Sequence, residues 1–205
     1  LYLYILNTNL INTMKKLFLL VVLWLSLLTG IQAQFPKAIF PGDYPDPSIL
    51  RDGKDYYMTH SPFCYAPGLL IWHSTDLLHW EPVCRALAEY EASIWAPDLL
   101  KYQNRYYIYY PTSTGENFVI YADNIRGPWS KPVKLDVKGI DPGHVVGEDG
   151  KRYLFTNNGW ITPLSDDGLK VTGKSRKVYD GWEYPANWVT EGKDIYLESP
   201  KLLYK

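Results

Sequence analysis

Four stretches of this chain repeat one grammar, and that repeat narrows the fold more than any other feature. "PDPSILRDGKDYYMT", "APDLLKYQNRYYIYY", "IDPGHVVGEDGKRYLF" and "LESPKLLYK" each set an acid beside or near a proline, followed by a short apolar run. In the first three a polar turn follows, at Asp52-Gly53, Gln103-Asn104 and Asp149-Gly150, and then an aromatic run. A polar turn between two apolar runs is the mark of a hairpin. The acids fall at Asp46, Asp98, Asp141 and Glu198, a period of about 50 residues. A second element repeats as well: "HSTDLLHWEPV" and "YADNIRGPWSKPV" both place a Trp and a Pro-Val after a strand and a turn.

A period of that size, built from about four short strands, signals a β-propeller blade. The remaining strand signals agree. "LLIWHST", "NFVIYAD" and "DIYLES" are short, rich in Tyr, Ile, Val and Phe, and bounded by turn residues. "CRALAEYEA" reads as a helical turn or two, and no run of βαβ units is present. The expected class is therefore all-β. Strands in a propeller start near the central axis, so acids that open the innermost strand of each blade become neighbours in space. The competing reading makes each Asp-Pro a mere turn initiator; matched places in three or four repeats weaken it.

Charge and targeting signals bound the setting. A formal net charge of −1 leaves no electrostatic footprint for nucleic acid or an anionic membrane. No phosphate-cradling glycine pattern occurs, and no Cys/His cluster has metal-ligand spacing. Residues 1–13 read as upstream translation, because Met14-Lys15-Lys16 begins a better start. After it come "LFLLVVLWLSLL" and "TGIQAQ", so 14–33 reads as a secretory signal peptide cut after Ala33. The apolar run is too short for a lasting membrane span. Residues 34–205 are then exported, periplasmic or extracellular, with no stable membrane span once the signal is removed. In that oxidising setting Cys64 and Cys84 either pair or stand as separate thiols.

Carboxylates gathered at the mouth of a propeller suit two kinds of chemistry. Calcium binding wants several oxygen ligands. Glycoside hydrolysis wants one ionised and one protonated carboxyl on opposite sides of a sugar. A glutamate among aspartates favours the second, since its longer arm reaches a leaving-group oxygen, and like-charge neighbours keep one carboxyl protonated.

The ordered set "YPDPSI", "HSTDLLHW", "WAPDLLKY", "GIDPGHVVGEDGKRYLF" and "YLESPKLLYK" resembles the successive blade motifs of glycoside hydrolase family 43, β-xylosidase and α-L-arabinofuranosidase type. The resemblance covers most of 38–205. It implies a five-bladed β-propeller, of which this chain covers three blades and part of a fourth, forming the N-terminal part of a catalytic domain. It also implies an inverting glycosidase acting on xylo- or arabino-oligosaccharides. Asp46 would be the general base, Asp141 the residue that tunes and orients the acid, and Glu198 the general acid. Phe63 and Trp95 would line the terminal sugar pocket, and Asp98 would be structural. No cofactor is required; a structural calcium is compatible with the family, but its ligands are not identifiable in this sequence. Ser199 follows the glutamate where glycine is commoner. The alternative is a catalytically inactive propeller that binds carbohydrate or calcium.

Overall fold

The computed structural model describes residues 13–21, 38–89, 92–180 and 197–201. The chain divides into two compact units, Leu1–Ala38 and Ile39–Lys205. In the first, residues 13–21 are helical. Among the described residues no helix is long and apolar enough to cross a membrane. The rest of the apolar segment and the expected cut at Ala33 lie outside the described residues.

Three four-stranded antiparallel sheets make up the described part of the second unit. The first runs β1 (Ser48–Asp52), β2 (Asp55–Thr59), β3 (Gly68–Ser74) and β4 (Glu81–Leu87). The second runs β5 (Asp98–Tyr102), β6 (Arg105–Pro111), β7 (Glu116–Ala122) and β8 (Val133–Lys138). The third runs β9 (Gly143–Val146), β10 (Arg152–Thr156), β11 (Trp160–Pro163) and β12 (Arg176–Lys177). In every sheet the spatial order equals the chain order, which is the up-and-down meander of a propeller blade. The first strands are the inner ones: β1 packs against β5, and β5 against β9.

Hairpins open each blade as expected, with the first turn one residue later than Asp52-Gly53 and a longer connection, 147–151, around Asp149-Gly150 in the third. Asp52 pairs with Asp55 and Tyr102 with Arg105, leaving two-residue turns at Gly53-Lys54 and Gln103-Asn104. Both turns need the left-handed region, supplied by Gly53 (φ 65°) and Gln103 (φ 54°). The second repeated element also has one structural meaning. Trp80 Nε1 donates to the Leu77 carbonyl at 3.1 Å, and Trp129 Nε1 donates to the Ile125 carbonyl at 3.2 Å. Each indole thus closes the loop between the third and fourth strands of its blade.

β6 explains why "RYYIYYP" has no polar side. Tyr106, Ile108 and Tyr110 join Leu69, Ile71 and Leu87 of the first blade in one core. Tyr107 and Tyr109 face the other way and join Leu154 and Leu164 of the third blade. A middle blade is buried on both faces, so period-two alternation selects a neighbour rather than solvent. The helical expectation for "CRALAEYEA" is corrected: Cys84–Leu87 belong to β4. Ala86 and Leu87 fill the core between the first two blades, and pairing with β3 outweighs the helix propensity of Ala and Leu. Tyr90 and Glu91 lie outside the described residues. Cys64 and Cys84 are free thiols, and Cys84 Sγ donates to the Ile125 carbonyl at 3.3 Å.

A buried arginine locks the second blade to the third. Arg152 is 1% exposed and its guanidinium sits 4.4 Å from the ring centres of both Tyr102 and Tyr107. Its Nε donates to His144 Nε2 at 2.9 Å, and one Nη donates to Tyr109 Oη at 3.1 Å. Burial first, and the Arg152 charge second, push the His144 imidazole down to about 3. Its unfolded value is about 6.5, so the unfolded chain takes up this proton first as pH falls. The His144 contribution to stability is therefore complete above about pH 6.5 and declines as pH drops from there toward 3. Melting followed by circular dichroism should show stability falling already between pH 6.5 and 5, above the carboxylate range. His144→Gln, which still offers an acceptor to Arg152, should remove most of that upper step. A residue of it will persist from His60, whose buried ring is depressed in the same direction.

Candidate active site

Aligning the inner strands by their pairing puts Ser48, Asp98 and Gly143 at one position, opposite Thr59, Tyr109 and Phe155. An axial cavity of about 360 Å³ confirms the register. Its lining includes Ser48 and Ile49, Asp98 and Leu99, Gly143 and His144, and Pro200 and Lys201. Each repeat contributes the same two positions, the first adds Pro47, and Pro200 and Lys201 bring the segment 197–201 to the same cavity. Asp46, Asp141 and Glu198 each stand two residues before these lining pairs. Asp98 does not: it is a lining residue, and the residue in register with the other acids is Ala96. The even spacing of four acids seen in the sequence is thus three acids in register plus one displaced by two residues.

Inter-blade hydrogen bonds repeat in the same register. Ser48 Oγ accepts the Leu99 N–H at 2.9 Å, and Asp98 Oδ2 accepts the His144 N–H at 2.8 Å. Lys201 Nζ donates to the other Asp98 oxygen at 3.1 Å. Asp98 is therefore a strut between the second blade, the third blade and the Glu198 segment, which is the structural role expected of it. Gly143 permits that packing, because a Cβ there would run into the Pro200 carbonyl oxygen.

The three acids differ in setting. Asp46 is exposed, and its Oδ2 accepts the Ser61 hydroxyl at 2.5 Å. Asp141 is buried, 8% exposed. Its Oδ2 accepts the Ser199 N–H at 3.0 Å and faces the Ser199 hydroxyl at 3.4 Å, so it is tied to the residue beside Glu198. Glu198 itself is exposed. Asp46 (φ 53°) and Asp141 (φ 56°) both hold the left-handed conformation at matched positions. That conformation is uncommon for a residue with a side chain, and such outliers gather at functional sites.

Phe63 and Ile94 exchange two backbone hydrogen bonds, each 3.1 Å, which sets Phe63 beside the neighbour of Trp95. Trp95 occupies the second blade at the level where the first and third carry Pro45 and Ile140. Both aromatics are half-buried. Phe63 and Ser61 also line an open groove of about 740 Å³ with His60, Tyr65, Trp72 and Arg85. Ser61, Gly143 and the strut Lys201 carry no role in the sequence reading. Gly143 and Lys201 offer one signal, their place beside repeated acids, and Ser61 offers none.

Among the described residues no group of three or more His, Cys, Asp or Glu could hold a metal ion. The single carboxylate lining the axial cavity, Asp98, has both oxygens engaged by donors. His144 Nε2 accepts from Arg152. The described donor set by itself does not fit calcium.

The sequence profile of Glycosyl hydrolases family 43 matches residues 35–202. The chain belongs to glycosyl hydrolase family 43. It is 36% identical over 194 residues to the xylosidase/arabinosidase 43B of Humicola insolens, covering 80% of this chain and 35% of that protein. It is 33% identical over 160 residues to a non-reducing end α-L-arabinofuranosidase of Bacteroides ovatus, covering 71% of this chain and 30% of that one. Among solved structures, the GH43 protein BlXynB of Bacillus licheniformis aligns with a TM-score of 0.66 at 31% identity, over 73% of this chain and 34% of that chain. The chain spans about a third of the length of the relatives it matches.

Proposed function

We propose that this family 43 chain carries the acid–base machinery of an inverting glycosidase that cleaves terminal xylose or arabinose from hemicellulose-type oligosaccharides. The observation that carries this reading is the register of Asp46, Asp141 and Glu198, each two residues ahead of a matched pair that lines the axial cavity, Ser48-Ile49, Gly143-His144 and Pro200-Lys201. Family membership and the names of the relatives, xylosidases and arabinofuranosidases, supply the substrate class.

Asp46 is the general base. It is solvent-exposed, and the Ser61 hydroxyl binds its Oδ2, leaving the other oxygen to take a proton from water. Glu198 is the general acid, delivering a proton to the departing oxygen as the glycosidic bond breaks. Asp141 does not touch the reacting atoms. It holds the backbone next to Glu198 through the Ser199 N–H and so orients that acid. Phe63 and Trp95 offer aromatic surface to the sugar's C–H face at the level of the acids. The protein works outside the cytoplasm, delivered by the 14–33 segment.

Inversion demands a base and an acid on opposite faces of the sugar, about 6.5–9.5 Å apart, so that one water fits between them. Proton NMR of the full-length protein at work on a xylo-oligosaccharide or aryl arabinoside should reveal the anomer opposite to the substrate's as the first product. First-formed product of retained configuration would rule out Asp46 as a base acting through water.

A further inference from the structure

Two consecutive asparagines follow the aromatic strand β10, and each embraces one residue with two hydrogen bonds. The Asn157 N–H donates to the Ile140 carbonyl at 2.9 Å, and Asn157 Oδ1 accepts the Ile140 N–H at 3.0 Å. The Asn158 N–H donates to the Leu197 carbonyl at 2.7 Å, and Asn158 Oδ1 accepts the Leu197 N–H at 3.3 Å. Ile140 immediately precedes Asp141, and Leu197 immediately precedes Glu198. We propose that Asn157 and Asn158 form a tandem clamp that positions the proton donor Glu198 against Asp141, an inference that rests on the acid role given to Glu198 above.

The geometry suits a short side-chain acceptor at both places, and at the second also a residue that tolerates positive φ. A residue at the end of a strand can reach one flanking segment with its backbone N–H. Reaching a second segment with the next N–H requires the chain to turn over, and Asn158 does so in the left-handed conformation (φ 58°, ψ 26°). Asparagine tolerates that conformation better than most residues and also carries a short amide acceptor. Space is made on both sides. At Gly139 a Cβ would stand 2.5 Å from Asn157 Oδ1, and at Gly159 it would run into the Tyr179 carbonyl. The two clamped segments are thereby tied to adjacent Cα atoms, about 3.8 Å apart.

The other blades explain why the amides occur here. Ser61 stands where Asn157 stands, and its N–H donates to the Pro45 carbonyl at 3.0 Å. Pro45 has no N–H to satisfy, so the Ser61 hydroxyl is released to bind Asp46. In the second blade the Trp95 N–H donates directly to the Pro111 carbonyl at 3.1 Å. Ile140 and Leu197 carry N–H groups, and the two asparagine side chains accept them. Satisfying buried backbone donors would be the whole account if the clamp were merely structural. A positioning role adds a kinetic consequence.

Asn158→Gly keeps the left-handed backbone and the N–H donor and deletes only the acceptor for Leu197. In the full-length protein, kcat on an unactivated xylo- or arabino-oligosaccharide should fall by up to about 10²-fold, the cost of an acid misplaced by about 1 Å. KM should hold steady. Hydrolysis of an activated aryl glycoside, which needs little proton assistance, should change little. Asn158→Asp retains both the acceptor and the tolerance of positive φ. It should restore the rate on the unactivated substrate and move the alkaline limb of the pH profile upward, because a new carboxylate near Glu198 favours its protonated form. Equal losses on both substrates, or none with Asn158→Gly, would overturn the clamp, as would an unmoved limb with Asn158→Asp. Glu198→Gln measured alongside separates the two ideas. If that variant shows no dependence on leaving group, the acid assignment fails and the clamp with it; if it does and Asn158→Gly does not, the clamp alone fails.

Discussion

Glu198→Gln in the full-length protein should cut kcat on unactivated oligosaccharides by about 10²–10⁴-fold, the range that general-acid assistance contributes. The amide matches the carboxyl in size and preserves the hydrogen bonds at Ser199 and Leu197, which are made by the neighbouring backbone. It cannot release a proton to the departing oxygen. Glycosides whose aglycone is already a stable anion do not need that proton, so a 2,4-dinitrophenyl substrate should retain most of its rate. Steady-state kinetics with both substrate types is the measurement. A uniform loss would mean that Glu198 supports the fold or binding rather than proton transfer.

Asp46→Asn should be damaging whatever the leaving group. Water must be deprotonated as it attacks, and the amide nitrogen or oxygen of asparagine cannot accept that proton at neutral pH. The loss should again be about 10²–10⁴-fold, now equal for activated and unactivated substrates. Asparagine also tolerates the left-handed backbone that Asp46 adopts (φ 53°), so the local chain path should survive. Azide or formate added to the variant should restore turnover of the activated substrate, azide by attacking in place of water and formate by serving as the base. Absence of any defect in Asp46→Asn would remove it from the mechanism.

The contrast between these two variants follows from their settings. Asp46 lies at the head of the first blade, exposed and held by one hydroxyl. Glu198 lies on a segment fastened from three sides, by Asp141 at Ser199, by Asn158 at Leu197 and by Asp98 at Lys201. The segment's neighbour Pro200 is pressed against Gly143. A proton donor must approach one oxygen of the substrate within hydrogen-bond reach. A base acting through water has more freedom, and its looser attachment is consistent with that.

Strand content, blade meander and the hairpin turns were legible from local rules. The aromatic run "RYYIYYP", the polar turns and the recurring Trp each reflect forces acting over a few residues, so they leave a mark in a few residues. Local rules fail at 84–87, where Ala86 and Leu87 favour helix; pairing with β3 and the core shared with Ile108 and Ile120 of the next blade make them strand.

The sequence by itself determined that acids recur with the blade period, and therefore that carboxylates from distant parts of the chain meet near one axis. Tertiary structure alone decided which of them stand in register. Asp98 falls two residues late and becomes a strut for Lys201 and His144, while Asp46, Asp141 and Glu198 keep a common level. The physical reason is that register is a property of strand pairing. A shift of two residues leaves the side-chain face unchanged and so leaves the hydrophobic pattern intact, invisible in sequence, yet it moves a carboxylate along the axis by about 6–7 Å. The asparagine pair was hidden for a related reason: "NN" reads as a turn, and its partners Ile140 and Leu197 come together only when the third blade meets the segment that follows it.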